Sequence, residues 1–148
     1  MRFEECSAIA PFLINKHPYC DTIVLGKCSD EDAELCDQIV DNSYLTSIIV
    51  INRNNVAVSL CTKLLQNNPH VSHLSLMSLG LPFGPGSPRT TKMCSGLVEN
   101  TTIRDLHIYP VFENDVVDLA EFIRKNRNLE KLTFYFHDAS DDSQLLDC

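Results

Sequence analysis

The chain has no apolar run long enough to cross a bilayer. Its longest, Ile48-Ile49-Val50-Ile51 and Ala8-Ile9-Ala10-Pro11-Phe12-Leu13-Ile14, fall well short of the roughly 20 residues that a spanning helix needs. No CxxC pair occurs among the 7 cysteines, which removes the commonest spacing of zinc and redox sites. Cations are in short supply: 12 Lys and Arg stand against 20 Asp and Glu, a net charge of −8. That deficit argues against nucleic acid and anionic membranes as partners and leaves basic protein surfaces open. No secretory leader is visible, because Met1-Arg2-Phe3-Glu4-Glu5 sets two acids ahead of a short apolar stretch. Reduced thiols in the cytoplasm, or the nucleus, are therefore expected, with no role for the glycosylation sequon Asn100-Thr101-Thr102. Gly84-Pro85-Gly86 lacks the strand and helix that would make it a phosphate loop.

What is present is a repeat. Val71-Ser72-His73-Leu74-Ser75-Leu76 places apolar residues first, fourth and sixth. The spacing returns at Ile103–Ile108, Leu129–Phe134 and Leu45–Val50, and more weakly at Cys20–Leu25. These copies begin at residues 20, 45, 71, 103 and 129, so their separations are 25, 26, 32 and 26. Alternation of apolar and polar places marks each as a strand. With 148 residues, 44% hydrophobic and 22% charged, the chain reads as one domain, 1–148.

Ahead of each strand copy lie two apolar residues four apart, followed three residues later by Asn. They are Ala8…Phe12…Asn15, Leu35…Ile39…Asn42, Leu60…Leu64…Asn67, Met93…Leu97…Asn100 and Leu119…Ile123…Asn126. A spacing of four puts the pair on one helical face. Asn would then end the helix in the left-handed conformation that it tolerates. Ser29-Asp30-Glu31-Asp32 and Asn114-Asp115 supply cap residues and acids for helix starts. The units run near 5–28, 29–52, 53–88, 89–111 and 112–136, with a partial last helix over 139–148. That half-helix is either a lid over the last strand or the start of a longer array.

The one long separation comes from Ser78-Leu79-Gly80-Leu81-Pro82-Phe83-Gly84-Pro85-Gly86-Ser87-Pro88. Its Pro and Gly rule out regular structure and predict an exposed loop. The loop is either a tolerated insertion or, through Leu81 and Phe83, a contact for a partner.

The unit L-x-x-L-x-L with a helix L-x-x-x-L-x-x-N resembles the leucine-rich repeat, within it the ribonuclease-inhibitor-like subtype. The best match is Asp118-Leu119-Ala120-Glu121-Phe122-Ile123-Arg124-Lys125-Asn126-Arg127-Asn128-Leu129-Glu130-Lys131-Leu132-Thr133-Phe134, and the resemblance covers roughly residues 5 to 146. It implies an α/β fold: a curved solenoid with a parallel concave sheet of about five strands and helices outside. It also implies a non-catalytic protein–protein interaction module, binding through the concave face and the strand-to-helix loops. The chain departs from the family in having shorter units and in lacking Asn after most strands, where Ser78, Pro110 and His137 stand.

Alternation sorts the concave face into three rows. Thr22, Ser47, His73, Asp105 and Lys131 form the first; Val24, Ile49, Ser75, His107 and Thr133 the second; Gly26, Ile51, Met77, Tyr109 and Tyr135 the third. The surface turns from apolar to polar and aromatic toward the C-terminal units. The candidate partner-binding residues are therefore His73, Ser75, Met77, Asp105, His107, Tyr109, Lys131, Thr133 and Tyr135, with Leu81 and Phe83 of the loop. The expected partner is a protein, one with a basic surface given the acidic charge. No cofactor, metal or catalytic residue is assigned. The helix position holding Ile9, Cys36, Cys61, Cys94 and Ala120 should be small and buried, while Cys6, Cys28 and Cys148 are less constrained and partly exposed. Exposed end strands, the last with Phe134 and Phe136, offer a second possibility: self-association as an assembly subunit or a fragment of a longer array.

Overall fold

The computed structural model describes residues 2–5, 21–28, 41, 43–51, 55–77, 95–111 and 115–136. They form an α/β fold. Six strands, β1 (Arg2–Glu5), β2 (Thr22–Lys27), β3 (Ser47–Val50), β4 (His73–Met77), β5 (Asp105–Val111) and β6 (Lys131–Phe136), make one sheet. Each strand lies beside its neighbours in sequence, and every pairing is parallel. Three helices are described: α1 (Asn55–Asn67), α2 (Ser95–Val98) and α3 (Val116–Lys125). No helix among the described residues is long and apolar enough to cross a membrane.

The strand consensus sets which face is buried. Its fourth and sixth places point to the core: Ile48 and Val50, Leu74 and Leu76, Leu106 and Ile108 are all at most 2% exposed. Its first place, Leu45, Val71 and Ile103, is equally buried just before β3, β4 and β5. Leu60, Cys61, Leu64, Leu119 and Phe122 of the helices complete the same cluster. Period-two alternation therefore divides the sheet into a helix-covered face and an open one.

A second repeated device fixes how one unit seats on the next. The carbonyl of Asp21 accepts from the N–H groups of both Thr46 (2.8 Å) and Ser47 (2.9 Å). Thr46 does the same for Ser72 and His73, Ser72 for Arg104 and Asp105, and Arg104 for Glu130 and Lys131. The same polar place in each unit thus locks register with the following one, before the regular ladder begins.

Asn126 acts differently from the left-handed cap that its position predicts. Asn126 has φ −83° and ψ 102°, an extended conformation. Its side chain is nearly buried, donates Nδ2 to the Ile103 carbonyl of the preceding unit (3.0 Å) and accepts from the Asn128 N–H (2.9 Å). Asn100 likewise accepts from the N–H groups of Thr102 (2.9 Å) and Ile103 (3.0 Å). A short amide side chain that mimics a turn's carbonyl replaces the backbone twist. In the third unit the buried residue is Asn68, bonded to the Leu64 carbonyl (2.9 Å), and not Asn67, which is exposed.

Four further expectations need correction. In α3 the inward pair is Leu119 and Phe122, while Ile123 is 43% exposed. Three and four residues on are both within reach of one helical face, and the larger Phe ring takes the inner place. Ala120 is exposed although Cys61 is buried, so the two do not share a position; the one-residue shift at Asn68 separates their phases. Asp115 does not cap α3 with its side chain: it has helical dihedrals (φ −79°, ψ −20°), makes no side-chain cap hydrogen bond and is buried.

The fourth correction concerns the first unit and its cysteine. β1 adds a sixth strand, registered as Arg2↔Val24, Phe3↔Leu25 and Glu5↔Lys27. With Phe3 its sole apolar residue, the segment carries no alternation signal. Cys28, expected to be reduced and partly exposed, is buried and disulfide-bonded. The insertion 78–88, the helix starts at 29–32, Asn15, Asn42, Cys36, Cys94 and the segment 139–148 also lie outside the described residues.

Candidate functional site

The nine candidate residues on the strands fall on one face of three neighbouring strands. His73 is registered with Asp105 and Asp105 with Lys131; Ser75 is registered with His107 and His107 with Thr133; Met77 is registered with Tyr109. A register shift between Ile108 and Val111 makes β5·β6 pairing irregular there, and pairing resumes at Val111↔Phe136. It leaves the rings of Tyr109 and Tyr135 in an edge-to-face contact, centroids 5.6 Å apart and planes at 74°. Tyr109 is 43% and Tyr135 58% exposed. No described element covers these rows. Leu81 and Phe83 lie outside the described residues.

The chemistry is graded along the strand direction. At the entry end the Lys131 Nζ stands 3.6 Å from the Asp105 carboxylate. One residue earlier Arg104 stands 3.4 Å from Glu130 with the signs reversed. Both pairs are largely exposed, so each is worth at most about 1 kcal/mol. Their importance lies in charge balance, since neither acid nor base is left free for an oppositely charged ligand. His73 Nδ1 meets the Ser72 hydroxyl at 2.9 Å. At the exit end the face is apolar and aromatic, about 13 Å away at four residues of strand rise.

A shallow groove of about 790 Å³ runs along the entry ends of β4, β5 and β6. It takes in three of the anticipated residues, His73, Asp105 and Lys131. The rest of its wall was not anticipated. Pro69, His70 and Ser72 come from one unit, Thr101, Thr102 and Arg104 from the next, and Asn128 and Glu130 from the last. Apart from Pro69, these are polar residues between the turn asparagines Asn68, Asn100 and Asn126 and the strands that follow them. Their sequence signal is a constant offset from the asparagine, and it carries no apolar pattern to mark it. Cross-unit hydrogen bonds hold this wall: Thr102 Oγ1 donates to the Val71 carbonyl (2.9 Å) and Asn128 Nδ2 to that of Thr101 (2.7 Å).

Among the described residues, no group of three or more His, Cys, Asp or Glu is placed to hold a metal ion. No protein-family model matches the chain, and no curated protein matches it.

Two groups away from the open face show shifted acidity. On the helix side Lys125 reaches Glu121 (3.1 Å) and Glu99 (3.2 Å), and their hydrogen bonds hold its ammonium above the ordinary lysine value. Cys61 is a free thiol in the core, and burial pushes it up to about 12 from 9.0. The unfolded chain therefore loses this proton first, so the contribution to stability is intact below pH 9 and falls away as pH rises toward about 12. The expected result is that Cys61 resists iodoacetamide at pH 8 in native protein and reacts in urea, as read by peptide mass mapping. Ready native alkylation would show that the core opens locally.

Proposed function

We propose that the chain is a non-catalytic protein-interaction module, built as a curved solenoid of the leucine-rich-repeat kind, which binds a protein partner through the open face of β4, β5 and β6. The observation that carries this reading is the register of the three rows, which gathers polar, charged and aromatic side chains on one surface that no described element covers. Tyrosines of that kind are the residues that most often anchor interfaces. The solenoid reading draws support from strict neighbour-by-neighbour parallel order. Strands spaced about 4.8 Å apart and helices that pack no closer than about 8–10 Å force such a stack to curve, with the sheet inside.

The test is capture by immobilised protein. Wild type and a helix-face variant, Val117→Ser, should retain the same partner; Val117 is 74% exposed on α3. The Tyr109→Ala/Tyr135→Ala variant should lose it. Unchanged capture by the double variant would remove the open face from the proposal.

A second reading, self-association through the last strand, is favoured by β6, where Phe134 is 40% and Tyr135 58% exposed. Light scattering over a concentration series separates the two, since growth of mass with concentration supports assembly and a constant monomer mass rejects it. The module is proposed to work in the cytoplasm, and the disulfide at Cys28 runs against that setting. Alkylation in urea of protein isolated without reductant decides: modification of Cys28 supports a reducing compartment, protection opposes it.

A further inference from the structure

We infer that the element bound along the third row is a proline-rich segment in the polyproline II form carrying a basic side chain, an inference that rests on the interaction-module reading above. The apolar strip formed by Met77, Tyr109 and Tyr135 is bounded on its entry side by a polar row, Ser75, His107 and Thr133. Rows two residues apart on a strand are separated by about 6.6–6.8 Å. A helix, about 10–12 Å across, would press apolar surface onto that polar row. A polyproline II segment is thinner. Its turn of three residues advances about 9.3 Å, close to two strand spacings of about 4.8 Å. Successive turns of such a ligand crossing the strands would meet Met77 and Tyr135, with Tyr109 between them.

Hydrogen-bond capacity points the same way. The backbone groups of β4 and β5, and the β5-facing groups of β6 up to Phe134, are engaged in their parallel ladders. An ordinary peptide N–H pressed against the strip would lose water and find only the two phenol oxygens to accept it. Proline has no N–H to lose, and its exposed carbonyls can accept from the two phenol hydroxyls. Charge supplies the last element. The chain carries −8 overall, and aromatic ring faces attract cations. Lys131, the cation on these three rows, is already held 3.6 Å from Asp105 and offers little opposition.

The test is an NMR titration of the full isotope-labelled chain with three capped peptides. One has six prolines between two arginines, one has glutamate in place of each arginine, and one has alanine in place of each proline. Only the first should give saturable shifts, centred on Met77, Tyr109 and Tyr135. Tyr109→Ala/Tyr135→Ala should weaken it about tenfold, as loss of an anchoring aromatic does. Tyr109→Phe/Tyr135→Phe, which keeps the rings and removes the hydroxyls, should weaken it less and guards against a folding defect. Equal binding of the alanine peptide, shifts confined to other surfaces, or no shifts at millimolar peptide would each overturn the inference. If any of these occurs while the double alanine variant still loses its captured protein, the interaction-module reading stands and only the proline-rich partner falls.

Discussion

Phe122→Ala is expected to lower the free energy of unfolding by about 3–5 kcal/mol, read in urea as a lower midpoint at unchanged slope. Phe122 is fully buried at the centre of α3, and Leu119 beside it is 6% exposed. Removing the ring deletes contacts with the sheet and leaves a cavity that a repeat stack cannot close without shifting a whole unit. The neighbouring Ile123→Ala is the control. At 43% exposure it should cost less than about 1 kcal/mol, as substitutions away from the core usually do. The pair is diagnostic because both residues are apolar and adjacent. A large loss at Ile123 and a small one at Phe122 would mean that the helix is rotated relative to the sheet.

Asn126→Ala is expected to cost about 2–3 kcal/mol. The side chain bridges two units, donating to the Ile103 carbonyl and accepting from the Asn128 N–H. Its removal leaves the donor and acceptor in a nearly closed site with no protein partner, for which about 1–3 kcal/mol is usual. It also frees the turn that aims Asn128 at Thr101. Asn67→Ala gives the comparison: that side chain is exposed and bonds only to Lys63 one turn back in its own helix, so a few tenths of a kcal/mol is expected. Thermal unfolding of both variants measures the contrast. Similar losses would show that the asparagines act as ordinary helix ends and do not tie the units together.

The buried face was legible in the sequence because the fourth and sixth places of the consensus lie two residues apart, while the parallel sheet was implied by the resemblance to leucine-rich repeats. Once Leu74 and Leu76 are inward, His73, Ser75 and Met77 must be outward, and register with Asp105, His107 and Tyr109 follows from equal offsets. Helix phase was less legible. Apolar residues three and four places on both suit one face, and nothing in the string Phe122-Ile123 says which will be chosen. The asparagines were found by spacing, but their role was not. Extended geometry at Asn126 depends on a carbonyl from the preceding unit, which no local rule contains. β1 escaped notice because Arg2-Phe3-Glu4-Glu5 has one apolar residue and is recruited by its neighbour's open edge. The groove at the strand entries escaped for a related reason. Ser72, Arg104 and Glu130 are polar residues in turns, and only stacking brings them into line.

The claim at the centre of this account is that the open face of the last three described strands is the working surface. Amide hydrogen exchange of the protein, free and bound to its captured partner, tests it most directly. Slowed exchange on binding should be concentrated at residues 73–77, 105–109 and 131–135, with α3 (Val116–Lys125) unchanged. Protection centred on α3, with those strand segments unaffected, would contradict it.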